Sequence, residues 1–433
     1  MPTAAFTTLG CKVNQYETQR ILESFEEGGY DIVPFEGPAD VYVINTCSVT
    51  GVAESKSRYM IRRAARWNPE AKVVVTGCAA QMAVNKKESL DGAALVVPNP
   101  EKLDTFDKAV RSGVIPLPQT RRSAERTAIP SHSRTRATLK VQDGCTVMCS
   151  YCSIPYTRPG LVSRPSEEVI AEADALVARG YRELVLTGVL IGAYGPESGS
   201  GGPDFEELVE RLCRAVPGVR IRISSIELRQ VTDRLIDLLA GGLVVPHLHI
   251  PLQSGDDGVL ADMNRPYTQA DYLRTCETLY ERVPEMSITA DVMVGFPTET
   301  EERFATTLRV CREARYLKSH VFRFSPRYGT PADRFGDPIP APIKQRRAQE
   351  VAEIGQTTAA VHIRRFLGRT LRVLVENKVG RDGLMGGLTD NYIEVRFPAP
   401  TSWANTFVTV RLDEERDGVA YGEAVVSSSL RML

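Results

Sequence analysis

The stretch that decides the fold is 143–160, DGCTVMCSYCSIPYTRPG, which directly follows the apolar run ATLKVQ at 137–142. It sets Cys145, Cys149 and Cys152 in a C-x3-C-x2-C array, with Tyr151 before the last cysteine as a candidate cofactor contact. Three thiolates on one short loop can hold three irons of a [4Fe–4S] cluster and leave the fourth open. An open iron can chelate the amino and carboxylate groups of S-adenosylmethionine and pass an electron into its sulfonium. That yields a 5′-deoxyadenosyl radical, chemistry that side chains cannot perform. Zinc is the competing reading. Zinc wants four ligands in paired spacing, and no fourth Cys or His is close by, His132 lying in a linker.

Downstream, the runs ELVLTG, VRIRISS, PHLHIPL, SITADVMVG and HVFRFS alternate with helical patterns at 166–179, 204–215 and 300–316. With ATLKVQ they make six strands, the pattern of a partial (β/α)6 barrel with its site at the carboxyl ends of the strands. Thr187 and Gly188 stand at one such end, where a glycine lets backbone approach the methionyl end of a cofactor or simply turns the chain. Ser225 and Glu227, with Ser224, are candidates to bond a ribose or the cofactor amine, and Gln253 ends a further strand. Arg265 and Arg327 read as carboxylate or phosphate anchors, or equally as ion-pair partners. His247 and His249 face one side of their run and read as a satisfied interior pair rather than metal ligands. Asp291, flanked by apolar residues, requires a partner. Cys213, Cys276 and Cys311 fall inside helical patterns and read as small core residues.

Upstream, AAFTTL, VYVIN, KVVVT and ALVV alternate with helix-like stretches at 14–27, 52–67 and from 101 onward. Val-rich runs in this alternation predict an open parallel α/β sheet buried on both faces. Cys11, Cys47 and Cys78 each lie two residues beyond one of the first three runs. Ligands gather beyond the carboxyl ends of such strands, so the three thiols should converge. Gly10, Thr46 and Gly77 leave room for a bulky group, which suggests a second three-cysteine cluster. Three unrelated buried thiols, or a nucleophile without a partner His in this domain, are the other readings.

The C-terminal runs RTLRVLVENK, YIEVRFP, NTFVTVRL and GVAYGEAVVSSS alternate apolar and polar residues, as in a small β-barrel. Between 361 and 398, seven Lys and Arg residues, Arg369 and Arg372 among them, stand against four acidic ones, with Tyr392, Phe397 and Trp403 in or near the stretch. Basic and aromatic residues on such a barrel fit RNA binding by backbone contact and stacking. The segment 112–135, rich in Pro and Arg, reads as a linker, either a solvated connector or an RNA contact. The expected division is 1–111, an α/β Fe–S domain; 112–135, linker; 136–363, the partial barrel; and 364–433, the β-barrel.

Fifty-three Lys and Arg nearly cancel 54 Asp and Glu, leaving a net charge of −1. RNA contacts must therefore come from local patches, and nothing points to DNA. No run approaches the roughly 20 apolar residues of a membrane span, and MPTAAFTTLG has no signal-peptide pattern. The expectation is a cytoplasmic protein without a membrane partner. Nine cysteines, an odd number, cannot all pair within the chain, and in a reducing compartment clustered thiols read as cluster ligands.

Taken in order, TTLGCKVNQYET, VINTCSVTGVAESKSRYMIRRA, VVVTGCAAQ, the Cys145 loop, RISSIEL, HLHIPLQSGDDGVLADMNRPYT, DVMVGFPTETEERF and FRFSPRYGTPA resemble the methylthiotransferases over essentially the whole chain. These are radical-SAM enzymes with an N-terminal Fe–S domain, a radical-SAM barrel and a C-terminal TRAM barrel. GCKVNQYET and NTCSVT, the latter followed by ESKSRYMIRRA, look like the bacterial branch that modifies threonylcarbamoyladenosine beside the anticodon. The isopentenyladenosine branch reads closer to GCQMN, and the branch acting on a ribosomal-protein aspartate closer to GCPKN. The resemblance implies two [4Fe–4S] clusters, one on Cys11, Cys47 and Cys78 and one, binding S-adenosylmethionine, on Cys145, Cys149 and Cys152. It implies that all six cysteines are catalytic, that the radical takes hydrogen from C2 of the adenine, and that the first cluster presents a methylated sulfur to that carbon. It also implies a tRNA anticodon arm held by the TRAM barrel, with Arg265, Arg327, Arg369 and Arg372 as substrate contacts, and an electron donor such as flavodoxin or ferredoxin. The chain departs from the family at Val147-Met148, often N-F, at Pro159-Gly160, often R-G, and at Thr298, where GFPGET is usual. The two other substrate branches, and a non-catalytic Fe–S RNA-binding protein, remain as alternatives.

Overall fold

The computed structural model describes residues 1–118, 135–195 and 202–425. These fall into two compact units. One holds 1–118, 143–162 and 325–336, and the other holds 135–142, 163–195, 202–324 and 337–425.

In the first unit, β1 (Thr3–Thr8), β2 (Asp31–Val33), β3 (Val41–Thr46), β4 (Lys72–Gly77) and β5 (Leu95–Val97) form an all-parallel sheet in the order β2-β1-β3-β4-β5. Helices α1 (Lys12–Glu27), α2 (Gly51–Trp67), α3 (Cys78–Lys86) and α4 (Thr105–Arg111) connect and cover it. All six residues of β3 are buried, which is why VYVIN reads as a continuous apolar run. One face packs on Phe25, Tyr30 and Phe106 and the other on Met60, Ile61 and Ala64. β2 is an edge strand of three half-buried residues, too short for the sequence pattern to mark. The segment 143–162 in this unit contains the short helix α5 (Ile154–Thr157).

In the second unit the strands are β6 (Ala137–Lys140), the short pair β7 (Gln142–Asp143) and β8 (Val162–Ser163) at the ends of the cysteine loop, β9 (Glu183–Thr187), β10 (Arg220–Ile223), β11 (His247–His249), β12 (Ser287–Val294) and β13 (Lys318–Arg323). They form two parallel three-stranded sheets, β6-β9-β10 and β11-β12-β13. Ile226 N donates to His249 O at 2.9 Å and Val245 N to Ile221 O at 3.1 Å across the seam, so the six expected strands make one partial barrel. Around it run α6 (Ser166–Ala178), α7 (Phe205–Ala215), α8 (Asp233–Ala240), α9 (Asp257–Asp262), α10 (Gln269–Arg282), α11 (Glu301–Glu313) and α12 (Ala341–Arg364). Asp204, Thr232, Asp256, Thr268 and Thr300 start five of these helices by accepting an amide of the first turn. Cys276 and Cys311 are buried in the core, and half-buried Cys213 packs against it, as expected.

His362 of α12 pairs with Ser287 Oγ at 2.8 Å under the barrel. Burial, helped by Arg365, pushes its pKa down to about 4. The folded imidazole stays neutral where the unfolded one, near 6.5, already takes a proton. Stability contributed here is whole above pH 6.5 and falls by about 3 kcal/mol as pH drops to 4. Thermal melts between pH 7 and pH 4 should show this slope, and His362→Gln should flatten it.

The C-terminal strands β14 (Thr370–Val379), β15 (Met385–Thr389), β16 (Glu394–Phe397), β17 (Phe407–Arg416) and β18 (Val419–Ala424) close into a barrel in the order β14-β15-β16-β18-β17. Four strands match the alternating runs. β15, MGGLT, escapes that pattern because Gly387 lies so close to β14 that an added Cβ would stand 2.2 Å from Leu374 O.

This small barrel docks on the amino ends of the parallel strands. Arg220 and Arg222 of β10 are buried and share Glu183 of β9 at 3.0 and 2.7 Å. Their remaining donors reach Leu388 O at 3.0 Å, Asp390 O at 3.0 Å and Thr389 O at 3.2 Å. Asn405 Nδ2 reaches Gly180 O, and Asn391 Nδ2 reaches Glu285 O.

Candidate functional site

Both cysteine groups belong to the first unit. Strands β1, β3 and β4 are sheet neighbours, and Thr46 pairs with Gly77, so Cys47 and Cys78 leave adjacent strands at the same level. Thr8 pairs with Asn45, which puts Cys11 on the next strand at the same edge. Gly10 and Gly77 make the turns, with φ of +95° and +100°. A Cβ on Gly10 would lie 2.8 Å from Cys47 Sγ, so the glycine gives the thiol its space. Cys11 then stands at the N-cap of α1, and Cys78 opens α3.

A Cβ on Gly77 would stand 2.3 Å from Thr46 O and 2.5 Å from Thr46 N. Gly77→Ala should cost about 1–3 kcal/mol of backbone strain and displace Cys78. Metal analysis should then find iron lost from this group only.

Burial pushes Cys47 up to about 12, and the neighbouring Cys78 and Cys11 raise it further. Cys11 keeps accessible surface, and desolvation and the charge of Cys78 raise its thiol against the opposing pull of Arg158. Cys152 is pushed up to about 12 by burial, then by Cys149, Cys145 and also Cys78. The two groups are thus near enough for Cys78 to act on both. Asn99 marks the same approach, with Nδ2 3.8 Å from Cys78 Sγ and 2.8 Å from Thr157 O. Ser48 and Ser153 hydroxyls meet at 3.3 Å, beside Cys47 and Cys152 respectively.

The cysteine loop is wound by Gly144 (φ +77°) and Met148 (φ +56°). Cys145 Sγ accepts from Val147 N at 3.5 Å and Cys152 Sγ from Ile154 N at 3.4 Å.

Residues 139–311 match the radical SAM superfamily, and residues 3–97 match uncharacterized protein family UPF0004. The threonylcarbamoyladenosine tRNA methylthiotransferase MtaB of Bacillus subtilis is 39% identical over 425 residues, 95% of this chain and 94% of the relative. The chain belongs to the tRNA methylthiotransferase family. The MtaB of Thermotoga maritima is 35% identical, covering 92% of each chain. The tRNA-2-methylthio-N(6)-dimethylallyladenosine synthase of Sorangium cellulosum is 35% identical, covering 88% of this chain and 82% of that one. Among solved structures, the radical S-adenosylmethionine methyltransferase TsrM of Kitasatospora setae shares the fold, with TM-score 0.53, 16% identity and 77% of each chain covered.

The residues of this methylthiotransferase fit two multi-iron clusters. Each group supplies three thiols, soft ligands that iron binds as thiolates. No three Cys, His, Asp or Glu side chains among the described residues converge as around a single ion.

The other expected site residues of the methylthiotransferase separate into two sets. Thr187 is buried and bonds Ser224 Oγ at 3.4 Å. Gly188 leaves space for Gln142, whose Oε1 accepts Val189 N and Leu190 N. Ser225 is exposed at its strand end, and Tyr151 is half-buried. Gln253 sits at φ +63° with its backbone bonded to Asp291 and Met293. Glu227 and Arg265, read separately from the sequence, pair with each other, and Arg265 also bonds Tyr267. Asp291 finds its partner in His249 Nε2 at 3.3 Å, while both His247 and His249 bond Thr289 Oγ1. Arg327 pairs with Glu54 at 2.8 Å in the first unit. Arg369 pairs with Glu285, and Arg372 with Asp390 at 3.1 Å, on the surface of the small barrel.

One departure from the family has a local explanation. Thr298 uses its hydroxyl to bond Asp262 at 2.6 Å, a contact the usual glycine lacks. Met148 sits in the left-handed region at φ +56°, and nothing in the structure explains the change at Val147-Met148 or at Pro159.

Sequence reading missed Arg158. It is buried on the cysteine loop and donates to Glu17, Asp143 and Asn14. The signal available was an Arg embedded in the TRP that follows the cysteines, together with Glu17 on the core-facing side of the first helix.

Proposed function

We propose that this chain converts N6-threonylcarbamoyladenosine to 2-methylthio-N6-threonylcarbamoyladenosine in tRNA, beside the anticodon. The observation that carries it is the pair of three-thiol groups in one compact unit, bridged by Asn99, whose Nδ2 lies 3.8 Å from Cys78 Sγ and 2.8 Å from Thr157 O on the other group's loop. Cys11, Cys47 and Cys78 would hold one [4Fe–4S] cluster and Cys145, Cys149 and Cys152 the other. When bound, the clusters and S-adenosylmethionine supply the electron, the 5′-deoxyadenosyl radical and the transferred sulfur. The chain's own part is placement, because radical and sulfur must meet at one adenine carbon. Neighbouring parallel strands fix the first three thiols, and the short loop fixes the second three. Ser225, exposed at a strand end, is available to the cofactor, whereas the Glu227–Arg265 pair shapes the barrel wall.

The MtaB relatives support threonylcarbamoyladenosine as substrate. The C-terminal barrel would act as a TRAM module that grips the anticodon arm through Arg369 and Arg372. The four-part division of the chain read from the sequence serves this scheme, with flavodoxin or ferredoxin as electron source in the cytoplasm. Among the described residues no helix is long and apolar enough to cross a membrane. Mass spectrometry of tRNA nucleosides from cells with and without the protein tests the proposal. Loss of the methylthio-threonylcarbamoyl nucleoside supports it. Loss of the methylthio-isopentenyl nucleoside instead would assign the chain to the other tRNA branch.

A further inference from the structure

Arg158 is carried by the loop of the second cysteine group, yet its bonds run to the helix that begins at the first group. Nη1 donates to Glu17 Oε1 at 2.9 Å and to Asp143 at 2.7 and 2.8 Å, while Nη2 donates to Glu17 Oε2 at 2.7 Å and to Asn14 Oδ1 at 3.0 Å. Lys102 completes the network, with Nζ 2.7 Å from Glu17 Oε2 and 3.4 Å from Asn14 Oδ1. Asn14, Glu17, Lys102 and Arg158 are all at most 5% exposed. An ionic network this deep is expensive unless every charge is met, so it is held in one geometry.

The far side of the network is the backbone that presents the first group. Asn14 Nδ2 donates to Leu9 O at 2.8 Å and to Thr46 O at 2.9 Å. Leu9 lies two residues before Cys11, and Thr46 immediately precedes Cys47. An unbroken chain of hydrogen bonds therefore links the Cys145 loop to the turns carrying Cys11 and Cys47. Arg158 Nε–H is buried and without a hydrogen-bond partner among the described residues. The guanidinium is one hydrogen bond from Asn14, whose amide nitrogen bonds the carbonyls of both turns.

We propose that Arg158 is a positioning residue that couples the two cysteine groups: from the loop of one it fixes, through Asn14 and Glu17, the turns of the other and sets a buried cation beside them. This rests on the two-cluster reading given above. Two effects follow. The cation stabilises the more negative, reduced state of a cluster on Cys11, Cys47 and Cys78. The hydrogen-bond chain holds those turns in register with the Cys145 loop.

The test uses the full-length chain, reconstituted anaerobically, in a background of Cys145→Ala, Cys149→Ala and Cys152→Ala, so that only the first cluster remains. EPR-monitored redox titration reads its midpoint. Arg158→Gln should lower that midpoint by an amount equivalent to about a tenfold change in the one-electron equilibrium, about 59 mV. Arg158→Lys, which keeps the charge without the fork, should restore most of the shift. Asn14→Ser, which cuts the chain but keeps the cation, should lower iron occupancy of the first group with its midpoint nearly unchanged. If Arg158→Gln retains no iron, the Lys variant carries the test: it should hold the cluster near the original midpoint, and failure to do so overturns the proposal. Unchanged midpoint and occupancy in the Gln and Ser variants would also overturn it. If the parent with only the three N-terminal thiols binds no cluster, the two-cluster reading itself falls, an outcome separate from either result.

Discussion

Cys145→Ala is expected to abolish 5′-deoxyadenosine formation from S-adenosylmethionine, and Cys47→Ala to leave it measurable while stopping methylthio transfer entirely. The asymmetry follows from what each group does. Removing one of three thiols on the Cys145 loop destroys the only arrangement there that can hold a cluster with a free iron. Removing Cys47 takes one thiol from the middle strand of the three that bear the first group, between β1 and β4. In the proposed scheme that group presents sulfur and is not needed to cleave the cofactor. Each variant should retain about four of about eight irons per chain after reconstitution. Nucleoside analysis of tRNA, iron content and deoxyadenosine yield together read the split. Normal transfer by both variants would show that the thiols have been given the wrong task.

Glu183→Ala should be among the most destabilising single changes outside the cysteine groups, by about 3–5 kcal/mol. Glu183 has no exposed side-chain surface and is the shared counter-ion of Arg220 and Arg222, themselves at most 2% exposed. Deleting it strips Arg222 of its carboxylate in the interior and leaves Arg220 with Asp390 alone, at 2.6 Å. It also frees the donors that hold the C-terminal barrel by its β15–β16 turn, so limited proteolysis should release that barrel early. Burial raises the carboxyl pKa of Glu183, but Arg222 and Arg220 outweigh it and hold it below the usual range. Its contribution is therefore whole above pH 4–5 and disappears only as pH falls through that lowered value. A variant that melts with the wild type and resists protease equally would refute the assignment.

Most of the architecture could be read from the sequence, because buried parallel strands are long Val and Ile runs and small-barrel strands alternate. β2 could not, being three residues on a sheet edge, and β15 could not, because its glycines are chosen for close backbone contact. The cysteines were legible for a similar reason: each of the first three ends a recognisable strand, and the other three share one loop. Arg265 and Glu227 were visible as polar residues at strand ends, but their mutual pairing depends on a fold that brings together residues 38 apart. Arg158 and Glu17, 141 apart, belong to the same class of long-range ionic contact, which local pattern cannot signal.

The attachment of the small barrel at the amino ends of the parallel strands has a mechanical corollary. β12 alone is eight residues long and so rises about 25 Å. If, as proposed above, tRNA is held at that lower rim, it must span at least this height to present a base at the upper rim. That height is several stacked nucleotides, so an oligonucleotide shorter than the climb is expected to satisfy one rim but not both.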